Sequence, residues 1–343
     1  MRSKLQQLRI KHLALLDGIG TLGSLHAVAA SMHMTQPALT NMLQEIESIF
    51  GTQLFVRSKR GLTANSVGTA LIWRARLILN ELARADSEVT EILGGRIEIT
   101  MGVTPMMMLE IIPSALAEIE EAMPNLRLTF VERNVPTLLD ELAQGKIDIV
   151  LSSVPYDESA IHEKEAFEYR YVRDEELCVM VRNGHELASE KTISWKKLAT
   201  AQWVLPVEGS LTRRSFSMAF IQRNLTPPEP KYTSSSFHSN ARIVSHTDCL
   251  MVAPSSVGRH YASIGLVTML KLNFSTQSNP IAFILRKNRV RTEAENKIMS
   301  ILLAQFTRAK KPIAPDAHAP LSARTAKHRS SSHNNKKNLS LNT

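Results

Sequence analysis

The sequence has few of the residues on which several classes of protein depend. Among its 343 residues are only two cysteines, Cys178 and Cys249, which form no CxxC pair and are too few for a disulfide framework. We therefore expect two reduced, buried thiols in a cytoplasmic protein. No stretch approaches the roughly 18 uncharged apolar residues of a membrane span, so we predict no association with a membrane.

The motifs of enzymes are also missing from the sequence. It has no cluster of metal-ligating residues, no glycine-rich phosphate loop and no G-x-S-x-G. The acidic pairs Glu120–Glu121 and Glu175–Glu176 are adjacent in sequence, which points their side chains apart rather than toward one substrate. We predict no catalytic residue, no metal site and no cofactor.

The formal net charge of +9 is unevenly distributed. Residues 1–65 carry +4, residues 308–343 carry +7, and the region between them carries −2. Most of the basic charge lies in the C-terminal segment, so the total alone says little about specific DNA binding. The smaller excess near the N-terminus says more, because it accompanies the motifs described below.

Four zones follow one another along the chain. Residues 1–65 show short helical patterns, and residues 66–95 form one long helical pattern closed by Gly94 and Gly95. Strand-like and helical runs then alternate from residue 96 to about 307, which is typical of an α/β fold. Residues 308–343 are rich in Pro, Ser, His, Asn and Lys without periodicity, which predicts a disordered basic tail.

Three short helices are predicted in the first zone. The first spans about Ile10 to Ile19, and the second begins after Ser24, a favourable N-cap. The third follows Thr35 as N-cap and has Pro37 in its first turn, where the missing N–H costs little. Its predicted inward face consists of Leu39, Met42, Leu43, Ile46 and Phe50.

The outward face of this third helix carries the uncharged side chains of Gln36, Thr40, Asn41 and Gln44. Such groups both donate and accept hydrogen bonds, which suits base edges in a major groove, whereas a solvated face more often carries charged residues. Residues 54–56 read as a short strand, and residues 57–63 read as a basic turn with Arg57, Lys59 and Arg60 followed by a return strand, a wing suited to phosphates. Each feature alone also fits an ordinary surface, but their order and spacing together favour a winged helix-turn-helix.

The run from Gly23 to Arg57 closely resembles the N-terminal domain of LysR-type transcriptional regulators. The matching residues are Gly23–Ser24, Ala29–Ala30, Thr35 to Ala38, Ile46–Glu47, Gly51 and Leu54 to Arg57. Departures are mild, such as Leu16 where an aromatic residue is usual. The DNA-binding residues that the motif and this resemblance nominate are Ser24, Thr35, Gln36, Pro37, Thr40, Asn41, Gln44, Arg57, Lys59 and Arg60.

Residues 66–95 are predicted to form a dimerisation helix. Its apolar residues follow a near-heptad seam of Val67, Leu71, Ile78, Leu82, Ala85, Val89 and Ile92. An amphipathic helix lying on its own domain is the alternative, but the segment bridges two domains and has no evident neighbour. The resemblance implies an antiparallel linker dimer, often within a tetramer, and hence an inverted-repeat site on double-stranded DNA.

The alternating region resembles the effector-binding domain of the same family, a two-lobed α/β fold like that of periplasmic binding proteins. The resemblance rests on Ile112–Pro113, Pro124 and Gly145 to Asp148. We expect lobe I over about 96–180 and 270–307, and lobe II over about 181–269. A ligand in such a fold lies at the carboxyl ends of the strands, which nominates Thr104, Pro105, Ser152, Ser153, Ser210, Thr247 and Asp248. Helix N-termini there favour a small organic anion, although each residue also fits a plain cap or turn.

The sequence thus predicts a ligand-responsive, sequence-specific regulator whose partners are DNA, a small effector, further copies of itself and RNA polymerase. A solute-binding receptor is one rival, but it leaves residues 1–65 unexplained and needs an export signal. An architectural protein that binds DNA through its basic tail is the other. Truncation at about Phe306 distinguishes that rival, because specific binding survives the truncation only if the N-terminal domain is responsible.

Overall fold

The computed structural model describes residues 5–58, 61–154, 166–272, 279–287 and 289–308. Its N-terminal part comprises helices α1 (Ile10–Leu22), α2 (Leu25–Ser31) and α3 (Gln36–Phe50), strands β1 (Phe55–Ser58) and β2 (Gly61–Ala64), and the long helix α4 (Ser66–Ile92). Within those ranges, no helix is long and apolar enough to cross a membrane. Lys59, Arg60 and the predicted tail from residue 309 onward lie outside the described residues.

The N-terminal helices and the hairpin enclose one small core, in which Leu15, Leu39 and Leu54 are fully buried. Helix α1 ends at Leu22 rather than at the predicted Ile19, because the chain first leaves helical geometry at Gly23, with φ of +66°. At the other end of this unit, a Cβ atom on Gly68 would lie 2.1 Å from the carbonyl oxygen of Leu54. Only glycine therefore allows α4 to begin so close to the wing.

Helix α4 serves two purposes along its length. Ala75 is buried in the N-terminal core, with Leu71 and Leu79 partly buried against it. The predicted lack of an intrachain neighbour was therefore wrong for the first half of α4, and it was also wrong for the second half, where Arg84 pairs with Asp148 of lobe I. The remaining seam residues are exposed in the single chain, namely Val67, Ile78, Leu82, Ala85, Val89 and Ile92.

Lobe I of the C-terminal domain contains a five-stranded sheet in the order β4-β3-β5-β12-β6. Its strands are β3 (Ile97–Val103), β4 (Leu126–Glu132), β5 (Ile149–Ser153), β6 (Phe167–Glu175) and β12 (Asn279–Arg286). Strands β3, β4 and β5 are parallel, as the predicted βαβαβ pattern requires, whereas β12 runs antiparallel to β5 and β6. Helices α5 (Ile111–Ala122), α6 (Val135–Ala143) and α11 (Glu293–Arg308) cover this sheet.

Lobe II contains a second five-stranded sheet in the order β11-β7-β10-β8-β9. Its strands are β7 (Leu177–Val181), β8 (Trp203–Leu205), β9 (Pro230–Thr233), β10 (Leu250–Pro254) and β11 (Thr268–Met269), and its helices are α7 (Trp195–Thr200), α8 (Leu211–Ile221), α9 (Phe237–Ser245) and α10 (Ser255–Ser263). Strands β8, β9 and β10 are parallel, so their carboxyl ends share one edge of the sheet.

The two lobes share apolar packing on one side of their sheets. A single cluster of buried residues runs from lobe I, including Met101 and Phe283, into lobe II, including Met251. Cys178 and Cys249 belong to this cluster and are free and buried, as predicted. Burial raises the pKa of Cys178 to about 12, so its thiol stays protonated at neutral pH.

The helical spacing of apolar residues after Thr104 predicts one helix up to about Met123, and the segment after β3 differs from this prediction. A 3₁₀ turn spans Pro105–Met108, and α5 begins only at Ile111, with Glu110 at its N-cap position. Met106 and Met107 of this turn are both buried, in the apolar cluster that the two lobes share. The free N–H groups expected after Thr104 are therefore not those of a regular α-helix.

Candidate nucleic-acid interface and effector cleft

Helix α3 begins as the sequence predicts. The Thr35 Oγ1 atom accepts a hydrogen bond from the Ala38 N–H at 3.4 Å, and Pro37 lies in the first turn. The helix ends at Gly51, whose φ of +72° suits a left-handed cap. Both ends are thus determined by local chemistry.

The two faces of α3 have opposite surroundings. Its buried residues are Leu39, Leu43, Ile46 and Ile49. Met42 and Phe50, which were predicted to face inward, are only partly buried. Ile49, which was not predicted to face inward, is buried. Asn41 and Gln44 are exposed on the other side, and Gln36 is exposed in the first turn.

The hydroxyl groups of Thr40 and Ser24, near this face, differ in their hydrogen bonding. Thr40 is partly buried, and its Oγ1 donates a hydrogen bond to the Gln36 carbonyl oxygen at 3.0 Å. This leaves its oxygen lone pairs as acceptors. Ser24 occupies the N-cap position of α2, yet among the described residues its side chain forms no capping hydrogen bond. The structure therefore leaves that hydroxyl available.

The wing is an antiparallel hairpin in which Phe55 pairs with Ala64 and Ser58 with Gly61. Arg57 contributes its backbone to β1, whereas Lys59 and Arg60 lie outside the described residues. Sequence reasoning did not assign a role to Glu47, whose Oε1 accepts the Leu54 N–H at 2.7 Å. This bond joins α3 to the start of the wing and fixes the spacing between the two elements.

In the C-terminal domain, the parallel strands place several of the nominated effector residues at their carboxyl ends. Ser152 and Ser153 form the end of β5 rather than following it, because β5 extends along β12 as far as Ile281. Ser152 is fully buried, and its Oγ donates to the Ser153 carbonyl oxygen at 3.1 Å. Thr104 follows β3 directly, and its Oγ1 is buried with no hydrogen-bond partner in the described part of the chain. Pro105 beside it is exposed.

On the lobe II side, Ser210 caps α8, accepting a hydrogen bond from the Arg213 N–H at 3.2 Å. The Nη1 atom of Arg213 is buried without a hydrogen-bond partner among the described residues, while its guanidinium group lies 6.0 Å from the Phe216 ring. A capped helix N-terminus and an unsatisfied cationic donor both favour an anion.

Thr247 and Asp248 lie elsewhere. They precede β10, so they are at the amino ends of the parallel strands, at the sheet edge opposite to Ser210. Asp248 is exposed and pairs with Arg182 at 2.7 Å, and the hydrogen bond from Arg182 lowers the pKa of its carboxyl group. The expectation that these two residues reach the cleft overlooked strand direction, since a loop before a parallel strand lies at the wrong edge.

Sequence reasoning missed other polar groups at the carboxyl edge of lobe II. Ser236 caps α9, and the buried Asn240 one turn later has an Oδ1 atom without a partner among the described residues. At the start of α10, the Ser256 N–H donates to the Glu175 Oε1 at 2.7 Å. The serine-rich run before Phe237 could have predicted the cap of α9 from the sequence. The contact between Ser256 and Glu175 could not have been predicted, because it joins residues 81 positions apart.

The glutamates at positions 175 and 176 do point apart, as their adjacency predicts. Glu175 is buried and also pairs with Arg173 at 3.0 Å, whereas Glu176 is exposed. Three α-helices, α8, α9 and α10, thus begin at one edge of lobe II, and an internal carboxylate already occupies the N-terminus of α10.

Comparisons with known proteins agree with this architecture. A family profile described as "LysR substrate binding domain" matches residues 94–307, and one described as "Bacterial regulatory helix-turn-helix protein, lysR family" matches residues 10–69. The HTH-type transcriptional regulator GbpR of Azospirillum brasilense is 26% identical over 285 residues, which cover 82% of each protein.

Two solved structures share the fold along most of the chain. A full-length OxyR variant from Pseudomonas aeruginosa has a TM-score of 0.61 and 17% identity, covering 88% of this chain and 95% of that one. CbnR in complex with its target DNA has a TM-score of 0.60 and 18% identity, covering 88% and 100%. At these identities the likeness concerns the fold.

Proposed function

Because the chain belongs to the LysR family of DNA-binding transcription regulators, we propose that it binds an interrupted inverted repeat as a homodimer, with two dimers forming a tetramer on promoter DNA. A small organic anion in the cleft between the lobes regulates this binding. The family is one of regulators rather than enzymes, and the chain contains its effector-binding domain. We further propose that the protein acts in the cytoplasm.

The observation that carries the DNA-binding proposal is the division of α3 into two faces. Leu39 and Ile46 are fully buried, Asn41 and Gln44 are exposed on the opposite side, and Gln36 is exposed in the first turn. Exposed amides at the N-terminal end of a second helix are the groups that a helix-turn-helix presents to base edges. Ser24, Thr35, Pro37 and Thr40 support that contact, and Arg57, Lys59 and Arg60 of the wing contact phosphates.

Selection of random duplexes by the full-length protein tests this proposal and yields the operator. Gln36→Ala is expected to cost about 1–3 kcal/mol at particular base pairs. Gln222→Ala, which removes an exposed amide from the end of α8, is the matched control and is expected to bind the operator like the wild type. Equal losses on operator and random DNA for Gln36→Ala would contradict base reading.

The dimer proposal rests on the apolar stripe of α4. Ile78, Leu82 and Val89 are 45%, 44% and 56% exposed in the single chain, although large apolar side chains at helical spacing ordinarily seek a partner. Two antiparallel copies of α4 would cover these residues mutually and present two winged domains related by a two-fold axis. A symmetric pair of winged domains requires two inverted half-sites.

The effector proposal rests on Ser210 and Arg213. An anion at the start of α8 would accept from free backbone N–H groups and satisfy the unpaired Nη1 of Arg213. Thr104, Pro105, Ser152 and Ser153 line the opposing lobe. Asp248 and Thr247 take no part, because they lie at the other edge of the sheet.

A thermal-shift screen of small carboxylates against the full-length protein tests this site. A ligand present at about 100 times its Kd stabilises the folded state by about 2.7 kcal/mol. Arg213→Gln is expected to abolish the shift for the carboxylate that produces it, whereas Arg182→Gln, at the far edge, keeps it. A shift that survives Arg213→Gln would place the ligand elsewhere.

In the proposed mechanism, effector binding closes the two lobes and changes the spacing of the linker-paired dimers. The bend of the DNA and the access of RNA polymerase to the promoter change with it. An architectural protein that binds through the basic tail is the alternative. Since α11 continues to Arg308, a truncation after that residue is the appropriate test, and loss of operator binding in it would favour the alternative.

A further inference from the structure

One face of the linker helix α4 is polar and is turned toward the rest of its own chain. Arg76, Asn80 and Arg84 follow one another at intervals of four residues, which places them on the same side of the helix. All three contact the sequence from Gln144 to Asp148, the turn between α6 and β5 of lobe I. The sensor therefore docks directly on the linker.

Arg76 also reaches the DNA-binding unit. Its Nε donates to Asp17 Oδ1 at 2.6 Å and its Nη2 to Thr21 Oγ1 at 3.0 Å, both on α1. Its Nη1 donates to Gln144 Oε1 in lobe I at 3.1 Å. A single guanidinium group, 18% exposed, thus joins the DNA-binding unit, the linker helix and the sensor.

The docked turn approaches the linker closely. Gly145 has a φ of +74°, and a Cβ atom there would lie 3.3 Å from the Asn80 Cβ and 3.2 Å from Arg286 Nη1. Asn80 Nδ2 donates to the Gln144 carbonyl oxygen at 2.6 Å. Glycine is needed both for the backbone conformation and for the close approach.

The same turn is joined to the strand that leads to the cleft. Asp148 pairs with Arg84 and accepts the Thr100 N–H of β3 at 2.8 Å. Strand β5 begins at the next residue and ends at Ser152 and Ser153. A displacement of β5 within lobe I would therefore move the turn that Arg76 contacts.

The three hydrogen bonds of Arg76 differ in strength. The bond to Asp17 is charge-assisted on both sides, whereas the bond to Gln144 has a neutral acceptor, and doubly charge-assisted bonds are generally stronger. When lobe I moves, the Gln144 bond is the one that yields, and Arg76 remains with α1. We call Arg76 with its partners Asp17, Thr21 and Gln144 the junction. It is asymmetric, because the hydrogen bond to Gln144 of the sensor is weaker than the bond to Asp17.

We propose that Arg76 is a positioning residue that, through Gln144, lets lobe I set the orientation of the winged domain on the linker within a single protomer. This junction rests on the proposed regulation of DNA binding by the sensor, and it adds an intrachain route to the change in dimer spacing. Gln144 belongs to neither the proposed DNA-binding residues nor the proposed effector site, and its side chain accepts from Arg76, so its influence on DNA binding acts through Arg76.

The test uses three full-length variants. Gln144→Ala removes the sensor side of the junction, and Gln144→Glu replaces it with a charge-assisted bond to Arg76. Gln305→Ala is the matched control, because its amide donates to Glu118 Oε2 at 3.2 Å entirely within lobe I. Operator affinity and hydrogen exchange of the α1 amides are measured for each, with the melting temperature as a check on folding.

We expect Gln144→Ala to shift operator affinity by about tenfold, the lower end of the range for a hydrogen bond with one charged partner, and to raise exchange in α1. Gln144→Glu is expected to shift both quantities in the opposite direction, which general destabilisation would not do. In an Arg76→Ala background, Gln144→Ala is expected to add nothing.

The junction is overturned if Gln144→Ala matches Gln305→Ala in either measurement, or if both substitutions at Gln144 shift α1 exchange in the same direction. The exchange measurement requires no DNA. If the wild-type chain selects no operator, the proposed function fails, while the exchange of α1 still decides whether the junction exists.

Discussion

Helix α3 and the carboxyl edge of lobe II carry similar side chains in different settings. On α3 the neutral amides of Gln36, Asn41 and Gln44 are exposed and lie within one continuous helix. At the edge of lobe II, Ser210, Ser236 and Ser256 come from three separate helices; Ser210 and Ser236 cap their own helices, whereas the Ser256 N–H donates to Glu175. The first surface is assembled by local periodicity, and the second by the convergence of parallel strands. Substitutions on the two surfaces are therefore expected to have different effects on stability and on binding.

The largest effect is expected on the buried face of α3. Leu39→Ala removes a fully buried side chain from the N-terminal core and is expected to destabilise the domain by about 2–5 kcal/mol. Urea denaturation followed by circular dichroism measures this loss. Gln36→Ala, which changes an exposed side chain in the first turn, is expected to change stability by less than about 0.5 kcal/mol; a loss comparable to that of Leu39→Ala would mean that Gln36 is also packed.

The next effect concerns recognition rather than stability. Asn41→Ala is expected to cost about 1–3 kcal/mol of operator binding and to relax the preference at one base pair. Arg57→Ala is instead expected to weaken binding to all sequences and to reduce the salt slope by about 1. Titrations against operator and scrambled duplexes at several salt concentrations distinguish the two; a uniform loss for Asn41→Ala would remove this residue from base reading.

A smaller effect is expected at the sensor edge. Ser210→Ala removes the cap of α8 and is expected to destabilise the C-terminal domain by about 0.5–2 kcal/mol. It is also expected to weaken the thermal shift caused by the stabilising carboxylate. Ser194→Ala removes a comparable cap from α7 and serves as the control, since it should lower stability without altering the ligand-induced shift.

The smallest effect is expected at the opposite edge of the same sheet. Asp248 is exposed, so its ion pair with Arg182 contributes little. Because Arg182 lowers the pKa of Asp248 in the folded state, that contribution is present above the ordinary pKa of aspartate and is lost as the pH falls through the lowered value. Asp248→Asn is expected to leave the thermal shift caused by the stabilising carboxylate unchanged at neutral pH. Loss of that shift would mean that Asp248 belongs to the effector site.

Prediction from sequence succeeded where the determining interactions are local. Thr35, Pro37 and Gly51 determine the ends of α3 through capping and backbone geometry, which neighbouring residues reveal. The same is true of Ser210, which caps α8 as predicted. The three parallel strands of lobe I followed from the alternation of strand and helix.

Prediction failed where distant segments determine the result. The antiparallel strand β12 joins lobe I from the far end of the chain, and it extends β5 through Ser152 and Ser153. Thr247 and Asp248 were placed in the cleft because their polarity was considered without the direction of β10. The single helix predicted after Thr104 ignored the burial of Met106 and Met107 against other elements.

The sequence by itself determined that this protein has a recognition helix with one apolar and one amide-bearing flank, because helical periodicity and caps act over only a few residues. Only the tertiary structure decided which hydroxyls share a cleft and that Arg76 meets Gln144, 68 residues away. Contacts of that separation depend on how whole sheets and helices pack, and packing has no signature in any short stretch of chain.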